Sequence, residues 1–209
     1  MTAVETTRSR RTRVHPDVES VLLSPPVLRR RVAELGRQIT ADYAGETPLL
    51  LGVLKAAVVF MVDLARAIDL PVQMEFLFAA SYGASTTTSG QVRVDRLQEV
   101  PLAGRHVLVV DTVLDTGLTF EVLDAAVRAR QPASLRYVAL VQKDRGQPVV
   151  RPADYLGFTV VDRWLVGYGC DYAQRYRNLP YVGILRPSVY ATANGAPAEA
   201  NSIGPHDTV

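Results

Sequence analysis

The chain has few residues that could cross-link it. Its one cysteine, Cys170, permits no intrachain disulfide, and its three histidines, His15, His106 and His206, are too scattered to make a metal cluster. A lone thiol suits a reducing cytosol and is more often inert packing than chemistry. Charge of one sign is also scarce. A net charge of +2 over 209 residues does not by itself argue for a nucleic-acid partner. The polar N-terminus lacks an apolar h-region, so no signal peptide is expected. The most apolar segment, LLLGVLKAAVVFMV, is interrupted by Lys55 and is too short to cross a bilayer. These features predict a soluble, cytoplasmic protein with no nucleic-acid and no membrane partner. Two nucleotide-binding signatures are missing as well, the Gly-Lys-Ser/Thr of a Walker loop and G-x-G-x-x-G.

What is present is ordinary globular material, 48% hydrophobic and 21% charged, enough for one domain with a buried core. Residues 1–17 read as a flexible leader in which Arg8, Arg10, Arg11 and Arg13 concentrate the basic excess, either a solvated tail or a phosphate-seeking arm. Val27, Leu28, Val32, Leu35 and Ile39 line one side of a helix that begins at Pro25-Pro26 and stops before Gly45. A continuous apolar run, 48–54, predicts a buried strand, followed by a helix over 56–68 and a strand over 72–80. The Ser/Thr/Gly-rich stretch 81–91 cannot cover a core and is expected to be mobile. Beyond it, VRVDRL reads as a short strand, 135–143 as another, and 155–161, 164–169 and 181–187 as short apolar segments. Strands alternating with helices predict an α/β fold with a central, mostly parallel sheet flanked by helices. The domain should run over 18–190, with 191–209 a disordered tail.

The stretch VLVVDTVLDTGLTFEVLDAA, residues 107–126, carries the chemistry. A strand ending at an aspartate leads into a loop of Asp, Thr and Gly and then a helix. In a parallel sheet such a loop faces the ligand side. Residues 115–119, DTGLT, place backbone N–H groups, Gly117 and two hydroxyls at a helix N-terminus, which favours a phosphate. Asp111 and Asp115 would repel that phosphate, so they need another use: ribose hydroxyls, Mg²⁺ or a proton in transit. A simple helix cap accounts for one of these residues, not for both carboxylates.

VLVVDTVLDTGLT resembles the phosphoribosyl-pyrophosphate (PRPP) signature of type I phosphoribosyltransferases, in which two acidic and two apolar residues precede Asp-Thr-Gly-x-Thr. LLLGVLKAAVVFMVDLARAI, SYG at 81–83, Lys143 and DRWLVGYGCDYAQRYRNLPYVGIL are similar to the hypoxanthine-guanine branch, from about residue 15 to 190. That resemblance implies the type I fold with a small hood and a mobile lid over 81–91. It implies transfer of the phosphoribosyl group of PRPP to N9 of hypoxanthine or guanine, giving IMP or GMP and pyrophosphate. Asp115 would be the acid/base residue for purine N7. Lys55, Ala56, Ser81, Tyr82, Asp111, Thr112, Asp115, Thr116, Gly117, Leu118, Thr119 and Arg177 would hold PRPP. Val113, Lys143, Trp164, Leu165 and Asp171 would meet the purine, Lys143 at the 6-oxo group and Trp164 by stacking. The Lys55 loop is expected to present backbone N–H groups through a strained, sometimes cis, peptide. Asp111 and Asp171 would hold Mg²⁺ largely through water. Homodimers or homotetramers are usual in the family. Plainer roles remain open: a solvated Lys143, a core Trp164, a surface ion pair for Arg177.

The chain departs from the family pattern in places. The usual Glu and second carboxylate are Asp111 and Thr112, Ala56 stands where Gly is usual, Trp164 replaces Phe or Tyr, and Cys170 precedes Asp171. Drift is one explanation; a paralogue acting on a modified purine, such as a deazapurine, is another. A PRPP- or nucleotide-binding regulator without turnover is a third, favoured by the weakened ribose pair and the basic tail, and opposed by the retained Asp115, Lys143 and lid.

Overall fold

Alternation along one strand explains how the two faces of the sheet are covered. In the computed structural model, which describes residues 13–81, 92–95 and 97–191, strand β2 (Leu49–Leu54) lies in mid-sheet. Leu50 packs with helices α1 (Pro25–Asp42) and α2 (Ala57–Ala67), while Leu49, Leu51 and Val53 join the core under helix α3 (Leu118–Arg128). A strand buried on both faces reads as an unbroken apolar run, which is why LLLGVL has no polar residue.

β2 runs parallel to β3 (Gln73–Ser81) and to β5 (His106–Leu114). β5 runs parallel to β6 (Ser134–Asp144), and β6 to β7 (Tyr155–Val161). The antiparallel strand β4 (Val92–Asp95) closes one edge, giving the order β4-β3-β2-β5-β6-β7. A second, antiparallel sheet of β1 (Val18–Leu23), β9 (Val182–Leu185) and β8 (Leu165–Val166) forms the hood. It packs on Val18, Val166, Tyr172, Tyr176, Tyr181 and Leu185. A single turn of helix, α4 (Pro187–Tyr190), follows it.

The expected elements are present with three corrections. β5 does not stop at Asp111 but continues to Leu114, still paired with Gln142 of β6, so the loop is only 115–117. Asp111 and Thr112 are therefore strand residues and face opposite ways. The segment 164–169 is strand only at Leu165–Val166 before it turns. β1 falls in a stretch to which the pattern assigned no element, because its partner β9 lies about 160 residues away in sequence.

The end of the proposed leader is tied to the hood. The His15 N–H donates to Tyr181 Oη (2.8 Å), the Tyr176 hydroxyl donates to Asp17 Oδ2 (2.7 Å), and the Arg186 N–H donates to Asp17 O (2.9 Å). Residues 1–12, the tail beyond 191 and nearly all of the 81–91 lid, including Tyr82, lie outside the described residues, and Ser81 is described only as the last backbone position of β3.

Candidate active site

The carboxyl ends of β2, β5 and β6 meet the hood across a cleft of about 770 Å³. This is where ligands sit in open parallel sheets. Lys55, Ala56, Asp111, Val113, Asp115 and Thr119 line its sheet side. Lys143, Trp164, Leu165, Asp171 and Arg177 line the rest. Residues spread over more than 120 positions of sequence thus face one space.

On β2's side, the Leu54–Lys55 peptide is cis. Ala56 takes φ −60° and ψ −41° at the start of α2, ordinary helical angles that a Cβ tolerates, so alanine in place of the usual glycine carries no backbone penalty here.

Gly117 precedes α3 with φ +86°, and a Cβ there would lie 2.7 Å from Arg151 N. Glycine is required twice over, by the left-handed backbone and by the approach of the 150–151 segment, whose Val150 N–H donates to Thr116 O (2.9 Å). Thr116 is exposed at this helix N-terminus, and Leu118 begins the helix. Thr119 is on the cleft wall, and Thr116, Gly117 and Leu118 lead into it at the N-terminus of α3.

Thr112 behaves differently from its neighbour. Its side chain is fully buried, is not on the cleft wall, and leaves Oγ1 without a hydrogen-bond partner among the described residues. The turn at Gly169 (φ +98°) covers it: a Cβ there would collide with Ala56 O and lie 3.7 Å from Thr112 Oγ1. An aspartate at 112 would be a charge buried under this turn. Asp111 faces the cleft instead. Burial pushes its carboxyl up to about 7, against the opposing pull of the Thr112 and Val113 N–H groups.

Arg177 organises the hood side. It donates to Gly169 O (2.8 Å) and to Gln174 Oε1 (3.2 Å), and pairs with Asp171 Oδ1 at 2.9 Å. Lys55 Nζ reaches the same Gln174 oxygen at 3.4 Å. The Gln174 N–H donates to Asp171 Oδ2 (2.9 Å). Ala173, Gln174 and Tyr176 are all left-handed, a concentration of sparsely populated conformations typical of functional loops. Trp164 donates Nε1–H to Asp171 O (3.2 Å), stacks on Tyr190 (5.5 Å, 27°) and meets Tyr172 edge-on.

The phosphoribosyl transferase domain family matches residues 20–173. The hypoxanthine-guanine phosphoribosyltransferase of Bacillus subtilis (strain 168) is 42% identical over 174 residues, covering 83% of this chain and 97% of that protein. The chain belongs to the hypoxanthine-guanine phosphoribosyltransferase family. A crystal structure of a hypoxanthine phosphoribosyltransferase from Staphylococcus aureus superposes with a TM-score of 0.80 at 35% identity, covering 84% of this chain and 96% of that one. The Bifunctional protein TilS/HprT of Listeria innocua is 43% identical over 178 residues, 85% of this chain. The chain spans only 28% of that longer relative.

The cleft residues not anticipated from the sequence include Arg145, Asp162, Gln174 and Tyr190. Arg145 Nε lies 2.7 Å from Asp115 Oδ1 and 3.1 Å from Asp162 Oδ2, and Lys143 Nζ lies 3.2 Å from Asp162 Oδ1. The Arg145–Asp115 contact is an ion pair without hydrogen-bond alignment at that oxygen. Asp162 and Arg145 each sit two positions from a residue already singled out, Trp164 and Lys143, and that adjacency was the available signal. Cys170 is buried; burial first, then the Asp111 and Asp171 carboxylates, push its thiol up to about 12, which keeps it protonated and unreactive.

Proposed function

We propose that the chain transfers the 5-phosphoribosyl group of PRPP to N9 of hypoxanthine or guanine, releasing pyrophosphate and forming IMP or GMP. The observation that carries this reading is the placement of Asp115 and Lys143 on one cleft, joined through Arg145 and Asp162, beside the helix N-terminus at Gly117. A 6-oxopurine offers an acceptor at O6 and a proton at N7. Lys143 is a donor only, so it selects the oxo group and rejects the 6-amino group of adenine. Asp115 takes the N7 proton as N9 bonds to the sugar, a transfer that contributes roughly 10²–10⁴-fold. Trp164, fixed by its bond to Asp171 O and by Tyr190, offers the base a stacking wall worth about 1–3 kcal/mol.

The sugar phosphate takes the other half of the cleft. Backbone N–H groups of 116–119 would cradle the 5′-phosphate, and Arg177 and Lys55, held in common by Gln174, would receive pyrophosphate. Asp111 would bind the ribose hydroxyls. Thr112, covered by Gly169, supports the strand from behind. Ser81 and Tyr82 would stand at the start of the lid, whose closure excludes water.

Mg²⁺ fits this donor set as PRPP's companion rather than as a caged ion. Among the described residues no group of three or more His, Cys, Asp or Glu is placed to hold a metal. A hydrated Mg²⁺ needs only one or two carboxylates besides substrate phosphates. Asp111 and Asp171 would supply them, and the ion would offset the charge of the departing pyrophosphate. A cytoplasmic homodimer or homotetramer belongs to the same reading; no described helix is long and apolar enough to cross a membrane.

The test is pyrophosphate release by the purified protein with PRPP, Mg²⁺ and a panel of purines. Turnover with hypoxanthine and guanine and none with adenine is expected. Turnover confined to a 7-substituted base, or PRPP binding without turnover, overturns it.

A further inference from the structure

Two carboxylates and two cations alternate across the base end of the cleft: Asp115, Arg145, Asp162, Lys143, linked at 2.7, 3.1 and 3.2 Å. The set is neutral. Its outer members, Asp115 and Lys143, are those assigned above to the purine, and this inference rests on that assignment. Its inner members have no part in it. Asp115, Arg145 and Asp162 have side chains 39–43% exposed, while Asp115 Oδ1, the oxygen that faces Arg145, is itself buried and has no hydrogen-bond partner among the described residues, so it is open to a new donor.

We propose that Arg145 and Asp162 are positioning residues that hold Lys143 and Asp115 and pair with each other when a purine displaces them. Asp162 pairs with Lys143 and Arg145 with Asp115, each purine-binding group facing an opposite charge. An incoming base takes Lys143 at O6 and Asp115 at N7–H. Arg145 and Asp162, already 3.1 Å apart, then close on each other, and neither charge is stranded in the cleft. Base entry thus exchanges the two outer ion pairs for two purine hydrogen bonds, so that Lys143 and Asp115 keep a partner each, and Arg145 and Asp162 remain as the one ion pair. With only one inner residue, the exchange fails. Without Arg145, release of Lys143 leaves Asp162 unpaired. Without Asp162, Arg145 has only Asp115 and competes with the purine for it.

The prediction is a sign reversal between single and double variants. Arg145→Gln and Asp162→Asn each raise KM for hypoxanthine about three- to fivefold, the size of a half-exposed ion pair. The double variant, lacking both the stranded charge and the competitor, returns KM to within about twofold of wild type. Arg145→Lys keeps the cation and stays near wild type. KM for PRPP moves in none of them. A merely structural role predicts the opposite, with the double variant at least as impaired as the worse single one and both substrates affected. That result, or single variants with unchanged KM for the base, overturns the proposal. Wild-type protein without turnover on any 6-oxopurine removes the functional reading and this inference together; wild-type turnover with additive variants removes the inference alone.

Discussion

The Arg177 guanidinium lies 2.9 Å from the Asp171 carboxylate, whose side chain is only 7% exposed. The same arginine donates to Gly169 O, so it ties the hood loop to the turn that covers Thr112. Replacing it with methionine leaves Asp171 a nearly buried carboxylate with only the Gln174 N–H and frees the Gly169 carbonyl. Arg177→Met is therefore expected to cost about 2–3 kcal/mol in urea unfolding, somewhat below a fully buried pair because Arg177 is 23% exposed. Arg177→Lys keeps the charge but loses the two-armed contact and should fall between. In both variants KM for PRPP should rise more than KM for the base.

Asp115→Asn separates chemistry from stability. The side chain is 43% exposed and its one ion pair among the described residues, to Arg145, lacks hydrogen-bond alignment, so unfolding should shift by less than about 1 kcal/mol. The amide accepts no proton, so pyrophosphate release should fall by about 10²–10⁴-fold. A variant that retains full turnover would remove Asp115 from the proton path.

The sequence displays local features and hides those that depend on distant partners. The helix over Pro25–Asp42 and the unbroken strand Leu49–Leu54 were legible because 3.6-residue spacing and double-sided burial leave a mark within a few residues. The D-T-G-L-T loop was legible for a similar reason: a phosphate seat at a helix N-terminus needs its glycine and hydroxyls in one short run. β1 left no such mark, since only its register with β9 makes it a strand. The side-chain direction of Thr112 was equally hidden. It depends on β5 continuing past Asp111 and on the Gly169 turn folding back from the hood. Gln174 lies within the quoted 162–185 segment but shows no role of its own there; that role emerges only when Lys55 and Arg177 converge on its side-chain oxygen.

Asp111 should make the metal-free protein's stability depend on pH. Burial raises its folded pKa to about 7, while an unfolded aspartate titrates near 4. Between those values the folded state holds a proton that the unfolded state has released. Its contribution is therefore fully present below about pH 4 and is lost as pH rises through about 7. With chelator present, urea midpoints of wild type minus Asp111→Asn should decline across that window. A flat difference would mean that the carboxyl is better solvated than its position implies. PRPP with Mg²⁺ places cations near the group and should flatten the slope.

Gly117→Ala tests the phosphate seat through backbone alone. At φ +86° an alanine is strained by about 1–2 kcal/mol, and its Cβ would sit 2.7 Å from Arg151 N and 2.9 Å from Arg151 O, both backbone atoms with little room to yield. Either the 150–151 segment moves away, breaking the Val150 N–H bond to Thr116 O, or the loop leaves the left-handed region and turns its N–H groups. Both outcomes disturb residues 116–119, while Lys143 and Trp164 stand on other elements of the chain. KM for PRPP is expected to rise by tenfold or more, the equivalent of about 1.4 kcal/mol, with base affinity measured at saturating PRPP changed far less. Equal loss for both substrates would mean that the loop serves the whole cleft rather than the phosphate.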